Sequence, residues 1–256
     1  MQRFFVPPQI LREGPIRLPE EVHHHLEVLR LAAGTELLLL DGEGGIHLCQ
    51  LTCCDRKSAQ VERLRSWREQ DSAWPLQLLQ GLPKGDKMEL ILQKGTELGI
   101  GHFSPLHCTR SIPVPAAGRE DQRLQRWQRI ISEAARQCRR PMLPRLDRPL
   151  PFNEALQQCR AALRLMLWEE ESLPLAEVLP EAAPASAALL VGPEGGFTAD
   201  EAAQARRSGF VPVRFGPRIL RCETAGFAAA SLLQFRYGDL GARAGKAPVP
   251  EQETRS

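Results

Sequence analysis

The sequence predicts an α/β protein in which a domain with a mainly parallel sheet follows a small β-rich domain. Three observations predict this. From Trp74 onward, strand and helix patterns alternate, as in chains that lay helices against a parallel sheet. Residues 187–191, AALLV, form a continuous apolar run, the pattern of a parallel strand buried on both faces. Residues 1 to about 70 read instead as short strands separated by turns.

In the front part, Phe4, Phe5 and Val6 are a short apolar run. A helix is expected from Pro19, a proline suited to a first helical turn, with Val22, Leu26 and Leu29 on one face. His25 is expected to pack near Val22 and Leu29, and Gly34 ends the segment. Residues 36–40, 41–45 and 46–53 read as strand, turn and strand. A further strand at 59–64 completes a small barrel or sheet, and the polar stretch 65–73 is expected to be the linker.

Beyond the linker, 76–79 and 103–106 read as strands, and Met88, Ile91, Leu92 and Leu98 carry helical periodicity. A long helix is expected over 119–138, with Leu124, Trp127, Ile130, Ile131 and Ala134 on its apolar side. Asn153 is placed to cap a helix running to Ala162. Strands follow at 163–168, 187–191 and 210–214. Thr198-Ala199-Asp200-Glu201 is a capping box that opens a helix, and 223–235 is the final helix. The small, polar, proline-bearing residues 242–256 are expected to be a disordered tail.

Composition narrows the function classes. The chain has 256 residues, 43% of them apolar and 25% charged, as globular proteins do. No stretch approaches the roughly 18 consecutive apolar residues of a membrane helix. Residues 1–15 lack the apolar core of a signal peptide, so a cytoplasmic protein is expected. Seven cysteines, an odd number without a CxxC pair, do not make a disulfide framework. Cys49 and Cys53 fit no standard zinc spacing, so no metal is expected. His23, His24 and His25 share a helix and point in different directions, which makes a poor chelate. The formal net charge is only +2, yet residues 119–148 hold nine arginines against four acids. Clustered arginines suit phosphate contact, and they equally suit a solvated helix face.

Three segments end strands with unusual loops, where ligands of such folds gather. The first contains Leu167, Trp168 and Glu169. The second is Val191-Gly192-Pro193-Glu194-Gly195-Gly196-Phe197, and the third runs from Arg214 through Phe215, Gly216, Pro217, Arg218, Ile219, Leu220 and Arg221 to Thr224. Glycine lets backbone approach a ligand, and proline stiffens the turn. Such loops expose N–H and C=O groups that can read an adenine edge; they also fit two ordinary tight turns. Neither a phosphate loop nor a G-x-G-x-x-G fingerprint is present.

Taken together, these motifs carry a resemblance. Gly192-Pro193-Glu194-Gly195-Gly196-Phe197, followed some twenty residues later by Gly216-Pro217-Arg218-Ile219-Leu220-Arg221-Cys222-Glu223-Thr224-Ala225, resembles the RsmE family of the SPOUT methyltransferase superfamily. Lys84-Gly85-Asp86-Lys87-Met88-Glu89 with Gln93-Lys94-Gly95-Thr96-Glu97-Leu98-Gly99 is similar to a second family block. Val28-Leu29-Arg30 with Asp41-Gly42, and the stretch from Gln234 to Leu240, extend the likeness over nearly the whole chain. The chain departs from the usual pattern at Cys222, where Thr is common, at Gly95, where Ala is common, and at Arg136 and Arg139.

The resemblance implies a SPOUT α/β-knot methyltransferase domain, with a trefoil knot in its C-terminal segment, at 73–241. It implies a PUA-like RNA-binding β-barrel at 1–72. It implies S-adenosyl-L-methionine as cofactor, a homodimer, and methylation of N3 of a uridine, uracil 1498, in 16S ribosomal RNA or the assembled small subunit. The cofactor site is then expected at Leu167, Trp168, Val191, Gly192, Pro193, Glu194, Gly195, Gly196, Phe215, Gly216, Ile219, Leu220, Arg221 and Thr224. Deprotonated uridine N3 spreads negative charge over O2 and O4, and an arginine aimed there stabilises the transition state. Arg221 is the first candidate and Arg218 the second; their alternative role is an ion pair with Glu194 or Glu223. Glu194 is the candidate proton acceptor, which requires a raised pKa. Arg3, Arg30, Lys84, Lys94, Arg110, Arg136, Arg139 and Arg140 are the candidates for RNA contact. Two rivals are a SPOUT enzyme acting on a ribose hydroxyl and a non-catalytic RNA-binding protein that keeps the fold.

Overall fold

The computed structural model describes residues 1–12, 14–55, 57–111 and 119–241, so the expected tail at 242–256 lies outside the described residues. The front part comprises β1 (Gln2–Phe5), β2 (Ile16–Arg17), α1 (Glu20–Val28), β3 (Glu36–Leu40), β4 (Gly45–Cys54) and β5 (Ala59–Arg68). They form a five-stranded sheet in the order β1-β3-β4-β5-β2. Alternate residues Leu37, Leu39, Cys49, Leu51 and Val61 point inward with Phe4 and Leu26 to make its core.

Two expectations for this part are corrected. β5 runs on to Arg68, through half of the stretch expected to be linker. Its partner β4 is equally long, and the pair continues to Gly45↔Arg68, so backbone hydrogen bonding holds a ribbon whose side chains are mostly polar. On α1 the buried residues are Val22, His23 and Leu26, while Leu29 falls at the C-cap and is exposed. His25 also reaches beyond its own helix. Its ring lies edge-on to Phe4, with centroids 5.5 Å apart, and its Nε2 is 3.2 Å from Arg136 Nη1.

The larger part comprises β6 (Leu76–Gly81), α2 (Lys87–Glu97), β7 (His102–His107), α3 (Arg119–Gln137), β8 (Arg145–Leu146), β9 (Leu150–Pro151), α4 (Phe152–Gln158), β10 (Leu163–Leu167), β11 (Leu173–Pro174), α5 (Leu175–Val178), β12 (Ala187–Val191), α6 (Ala199–Arg207), β13 (Val211–Arg214) and α7 (Cys222–Tyr237). The sheet order is β11-β13-β10-β12-β6-β7-β8, with β9 also on β7, and every pairing is parallel. Each face of the sheet carries its own core. Leu78, Leu165, Leu189 and Val191 face Ile91, Leu92, Trp127, Ile131 and Leu233 of α2, α3 and α7. Leu79, Met166, Ala188 and Leu190 face Phe152, Leu156, Ala202 and Ala205 of α4 and α6. This period-two division is why β12 reads as uninterrupted apolar sequence.

Asn153 does not cap α4. Pro151 occupies the N-cap, and the helix stops at Gln158 rather than Ala162. The chain must by then turn into the sheet: the Ala162 and Leu163 N–H groups donate to the Ser186 side chain and backbone oxygens. α6 begins with the expected capping box, Thr198 with Glu201. Gly95 lies where α2 presses on β7; a Cβ there would come within 2.7 Å of the Phe103 ring and 2.9 Å of Ile100 Cδ1.

The two parts are tied by the residues just after α3. Arg140, expected to contact RNA, is only 8% exposed. Its Nη1 donates to the carbonyls of Thr96 and Ile100 at 3.0 and 2.8 Å, and its Nε donates to Asp71 at 2.9 Å. Arg3 Nη1 donates across the junction to the Arg139 carbonyl at 3.0 Å, and Arg136 lies over the Phe4 ring and pairs with Glu133. The Leu143 N–H donates to the Gly42 carbonyl beside a Glu43–Met142 bridge.

Replacing Arg140 with Met removes the guanidinium donors from this buried site and strips the Asp71 carboxylate of its charged partner. Breaking a buried pair from one side costs about 3–5 kcal/mol. Urea unfolding followed by tryptophan fluorescence is expected to show a loss of that order; a loss below about 1 kcal/mol, the size of a surface pair, would remove Arg140 from the junction.

Candidate functional site

Strand register builds the site. Leu167, the last residue of β10, lies opposite Val191 of β12 on one side and Val213 of β13 on the other. The three strands run the same way and end within one residue of one another. The residues that leave them, Trp168, Gly192 and Phe215, therefore open onto one edge of the sheet, and the Trp168 N–H donates to the Val213 carbonyl at 3.2 Å.

The cleft on that edge has two adjoining lobes of about 380 and 430 Å³. Leu167, Trp168, Glu169, Ile219, Leu220 and Ala225 line both. One lobe adds Phe215, Gly216, Pro217 and Arg218; the other adds Lys87, Val191, Gly192, Pro193, Glu194, Gly195, Gly196, Arg221 and Cys222. The loops expected to meet thus share a cavity. Thr224 is the exception: it is exposed on the first turn of α7 and lines neither lobe.

Local conformation explains the loops. Gly196 and Gly216 have φ of +67° and +69°, a region costly for residues with a Cβ. Among the described residues, the backbone of 215–220 turns tightly at Gly216 and Pro217 and makes no hydrogen bond to a neighbouring element, which leaves donors and acceptors for water or a ligand. The second loop is braced from outside. Arg110 Nη1 donates to the carbonyls of Gly195 and Phe197 at 2.7 and 3.3 Å, so this arginine supports the loop. Buried Glu201 accepts from the N–H groups of Thr109 and Thr198, at 2.7 and 2.8 Å, tying β7's following turn to α6.

Glu194 is not a free base. Lys87 Nζ lies 2.9 Å from its Oε1, and the Lys84 N–H donates to both carboxylate oxygens at 3.0 and 3.2 Å. Burial works against ionisation, but the Lys87 hydrogen bond and the backbone donors outweigh it and hold the pKa below the ordinary glutamate value. This is the opposite of what a proton acceptor needs. Lys87 also approaches Glu223 at 3.8 Å, and Cys222 Sγ donates to that carboxylate at 3.1 Å. Burial pushes the Cys222 thiol up to about 12, with Glu223 adding to the shift. The ion-pair role considered for Arg218 and Arg221 is therefore filled by Lys87, and both arginines are exposed at the cleft.

The expected RNA-contact residues scatter. Arg3, Arg136 and Arg140 serve the junction between the two parts, Arg110 braces the glycine loop, and Lys94 pairs with Glu97 at 2.9 Å. Arg30, Lys84 and Arg139 have exposed side chains. Lys87, Glu169, Phe197, Cys222 and Ala225 line the cleft but were not among the residues expected to form the cofactor site. For Lys87 the signal was its place in the Lys84–Glu89 block; its carboxylate partners are more than a hundred positions away, and spacing alone could not pair them. Among the described residues, no group of three or more His, Cys, Asp or Glu is placed to hold a metal, and no helix is long and apolar enough to cross a membrane.

Comparison with known proteins agrees with this geometry. The RNA methyltransferase domain family matches residues 70–234, and the RNA methyltransferase PUA domain family matches residues 18–62. The chain is similar to ribosomal RNA small subunit methyltransferase E of Bacillus subtilis, at 32% identity over 92% of this chain and 97% of the relative. The Synechocystis protein of the same name is 36% identical over 87% of this chain and 74% of its own. Among solved structures, ribosomal RNA small subunit methyltransferase E from Neisseria gonorrhoeae, bound to S-adenosyl methionine, superposes with a TM-score of 0.84 at 32% identity, covering 94% of this chain and 99% of that one.

The Glu194 contacts carry a pH signature. A carboxyl held low in the folded state stabilises it above the unfolded glutamate pKa of about 4.3, and that stabilisation is lost as pH falls through the folded value. Thermal midpoints of the wild type and Glu194→Gln are expected to differ at pH 7 and to converge below about pH 4, near that glutamate value. A gap that persists unchanged at pH 3 would mean that the carboxylate charge is not what holds the loop.

Proposed function

The chain belongs to the ribosomal RNA small subunit methyltransferase E (RsmE) family, and on that premise we propose that it transfers a methyl group from S-adenosylmethionine to N3 of uracil 1498 in 16S ribosomal RNA. Its fold is the family's SPOUT α/β-knot methyltransferase domain with a PUA-like β-barrel in front. The division falls at about residue 72: 1–72 for the RNA-binding barrel and 73–241 for the methyltransferase domain. The observation that carries the proposal is the shared cleft, with loops 192–197 and 215–221 and the end of β10 as its walls.

The residues present suit the cofactor. The lobes have the volume of small-molecule sites, about 300–1,000 Å³. Leu167, Trp168, Leu220 and Ala225 offer apolar wall, and the backbone of 215–220, which pairs with no neighbouring element among the described residues, offers hydrogen bonds of fixed direction. At Gly196 and Gly216 nothing lies within 4 Å of a would-be Cβ, so the backbone there is open to a ligand. Val191, Gly192, Pro193, Glu194, Gly195, Phe215, Ile219 and Arg221 complete the proposed cofactor set, with Thr224 at its margin.

The cofactor supplies an activated methyl group on a sulfonium. What the chain supplies is position and charge. Holding uridine N3 in line with the methyl carbon removes much of the entropic barrier. Arg221, exposed and without a carboxylate partner among the described residues, is proposed to sit beside the uracil and stabilise the anion over O2 and O4 once the imide proton has passed to solvent water. Arg218 is the second candidate. Glu194 holds the loop rather than taking the proton.

Arg30, Lys84 and Arg139 are proposed to meet RNA phosphates. A homodimer is proposed from α7, on which Leu233 and Ala230 pack inward while the large apolar side chains of Leu232 and Phe235 are exposed on the other side. Ribosomal RNA as substrate supports a cytoplasmic protein.

The deciding assay incubates the protein with S-adenosylmethionine and small subunits from a strain lacking the gene, then digests the RNA and separates its nucleosides. N3-methyluridine is expected. A 2′-O-methylated nucleoside would mean a ribose-directed enzyme, and no transfer with no cofactor binding would mean an RNA-binding protein that kept the fold. In the same assay Arg221→Lys is expected to lower kcat by about 10²–10³, the usual cost of losing one aimed donor. The KM for S-adenosylmethionine should change less than about fivefold, because the loss falls in the transition state.

A further inference from the structure

We infer that Lys87 is the positioning residue that fastens the second glycine loop to the first turn of α7, through ion pairs with Glu194 and Glu223, and thereby sets the cleft's affinity for S-adenosylmethionine. This rests on the reading of the cleft as a cofactor site.

Lys87 is the first residue of α2, on neither loop, and it lines the cleft. Its ammonium stands 2.9 Å from Glu194 Oε1 and 3.8 Å from Glu223 Oε2. The first carboxylate belongs to the loop after β12, and the second to the helix that follows the loop after β13. One cation thus joins the two sides of the cavity from a third element. Glu194 is gripped twice by the same segment, because the Lys84 N–H donates to both of its oxygens.

Without Lys87 the two carboxylates would face each other across the space its ammonium fills. Like charges at that separation repel, and partial burial weakens screening. Each side chain of the cluster is less than a third exposed: Lys87 32%, Glu194 28% and Glu223 14%. Cys222 cannot take over the role. Its thiol donates to Glu223 but carries no positive charge, and it does not reach Glu194 within hydrogen-bonding distance. Arg221 lies nearby and contributes a coulombic attraction to Glu223, but it forms no ion pair with either acid. The cleft then has one cation whose work is to keep its walls together, while the exposed arginines remain available to the RNA base.

Such a residue acts on binding rather than on the chemical step, and through its partners rather than alone. Isothermal calorimetry with S-adenosylmethionine on the full chain tests both points. Lys87→Met is expected to weaken Kd at least about tenfold, and Lys87→Arg, which keeps the charge, to remain within about threefold of wild type. The double variant Lys87→Met with Glu194→Gln should bind no more than about threefold worse than the weaker single variant, since residues acting as a pair are not additive. At saturating cofactor, kcat of Lys87→Met should stay within about threefold of wild type. Wild-type affinity in Lys87→Met, or full additivity in the double variant, would overturn the inference while leaving the cofactor site standing. Absence of binding by the wild type would overturn the cofactor site itself. If Lys87→Met does not fold, as judged by circular dichroism, Glu194→Gln and Glu223→Gln remove the same pairs from the other side: weakened binding supports the inference, and unchanged binding in both overturns it.

Discussion

Three parallel strands ending within one residue of one another is the constraint on which the cleft depends. Leu167 lies opposite both Val191 and Val213, so β10, β12 and β13 deliver their loops to one edge at one height. A slip of one residue in any of them would turn its side chains to the other face of the sheet. It would exchange Leu165 and Leu189 for Met166 and Leu190 between the two cores and carry the loop out of reach of its neighbour. The apolar division of the sheet therefore specifies the site as well as the stability, because both follow from the same register.

Around that edge, fixed charges serve structure before chemistry. Lys87 holds two carboxylates, Arg110 holds two loop carbonyls, and Arg140 holds two more at the junction with the front part. Of the basic residues that line the cleft, Arg218 and Arg221 are exposed and their side chains pair with nothing among the described residues. That contrast turns a list of arginines and lysines into roles. A guanidinium buried against carbonyls is committed, whereas one that faces solvent beside a cofactor-sized cavity is free to meet a substrate. The junction has a second consequence. Arg3, Arg136 and Arg140 tie the front part to α3 and α2, so the surface proposed to meet RNA is held against the domain that carries the cleft.

Much of this was legible in the sequence. The alternation after Trp74, the run AALLV and the capping box at Thr198 correspond to β12, α6 and the layered sheet, because each depends on local pattern. The glycine loops were legible as a pair because two motifs with fixed spacing are far more specific than one. What sequence could not give was pairing at a distance. Nothing near Lys87 names Glu194, and nothing near Arg140 names Asp71. The same limit explains the errors. Arg140 looked like a surface cation because it sits in an arginine-rich stretch, and Glu194 looked like a base because its neutralising lysine lies on another element. The overlong linker at 65–73 came from reading polarity as loop, where β4 supplies a backbone partner out to Arg68. The trefoil knot belongs to the same class: no local pattern reports threading, and it entered through family resemblance alone.

The most direct test of the central claim is a crystal structure of the chain grown with S-adenosylmethionine. The adenosyl group is predicted to lie between residues 192–196 and 215–221, against Leu167 and Trp168, with its methyl carbon opening toward Arg221 and Lys87 still paired with Glu194. Cofactor density anywhere else on the molecule, or a bound cofactor touching only one of the two loops, would contradict it.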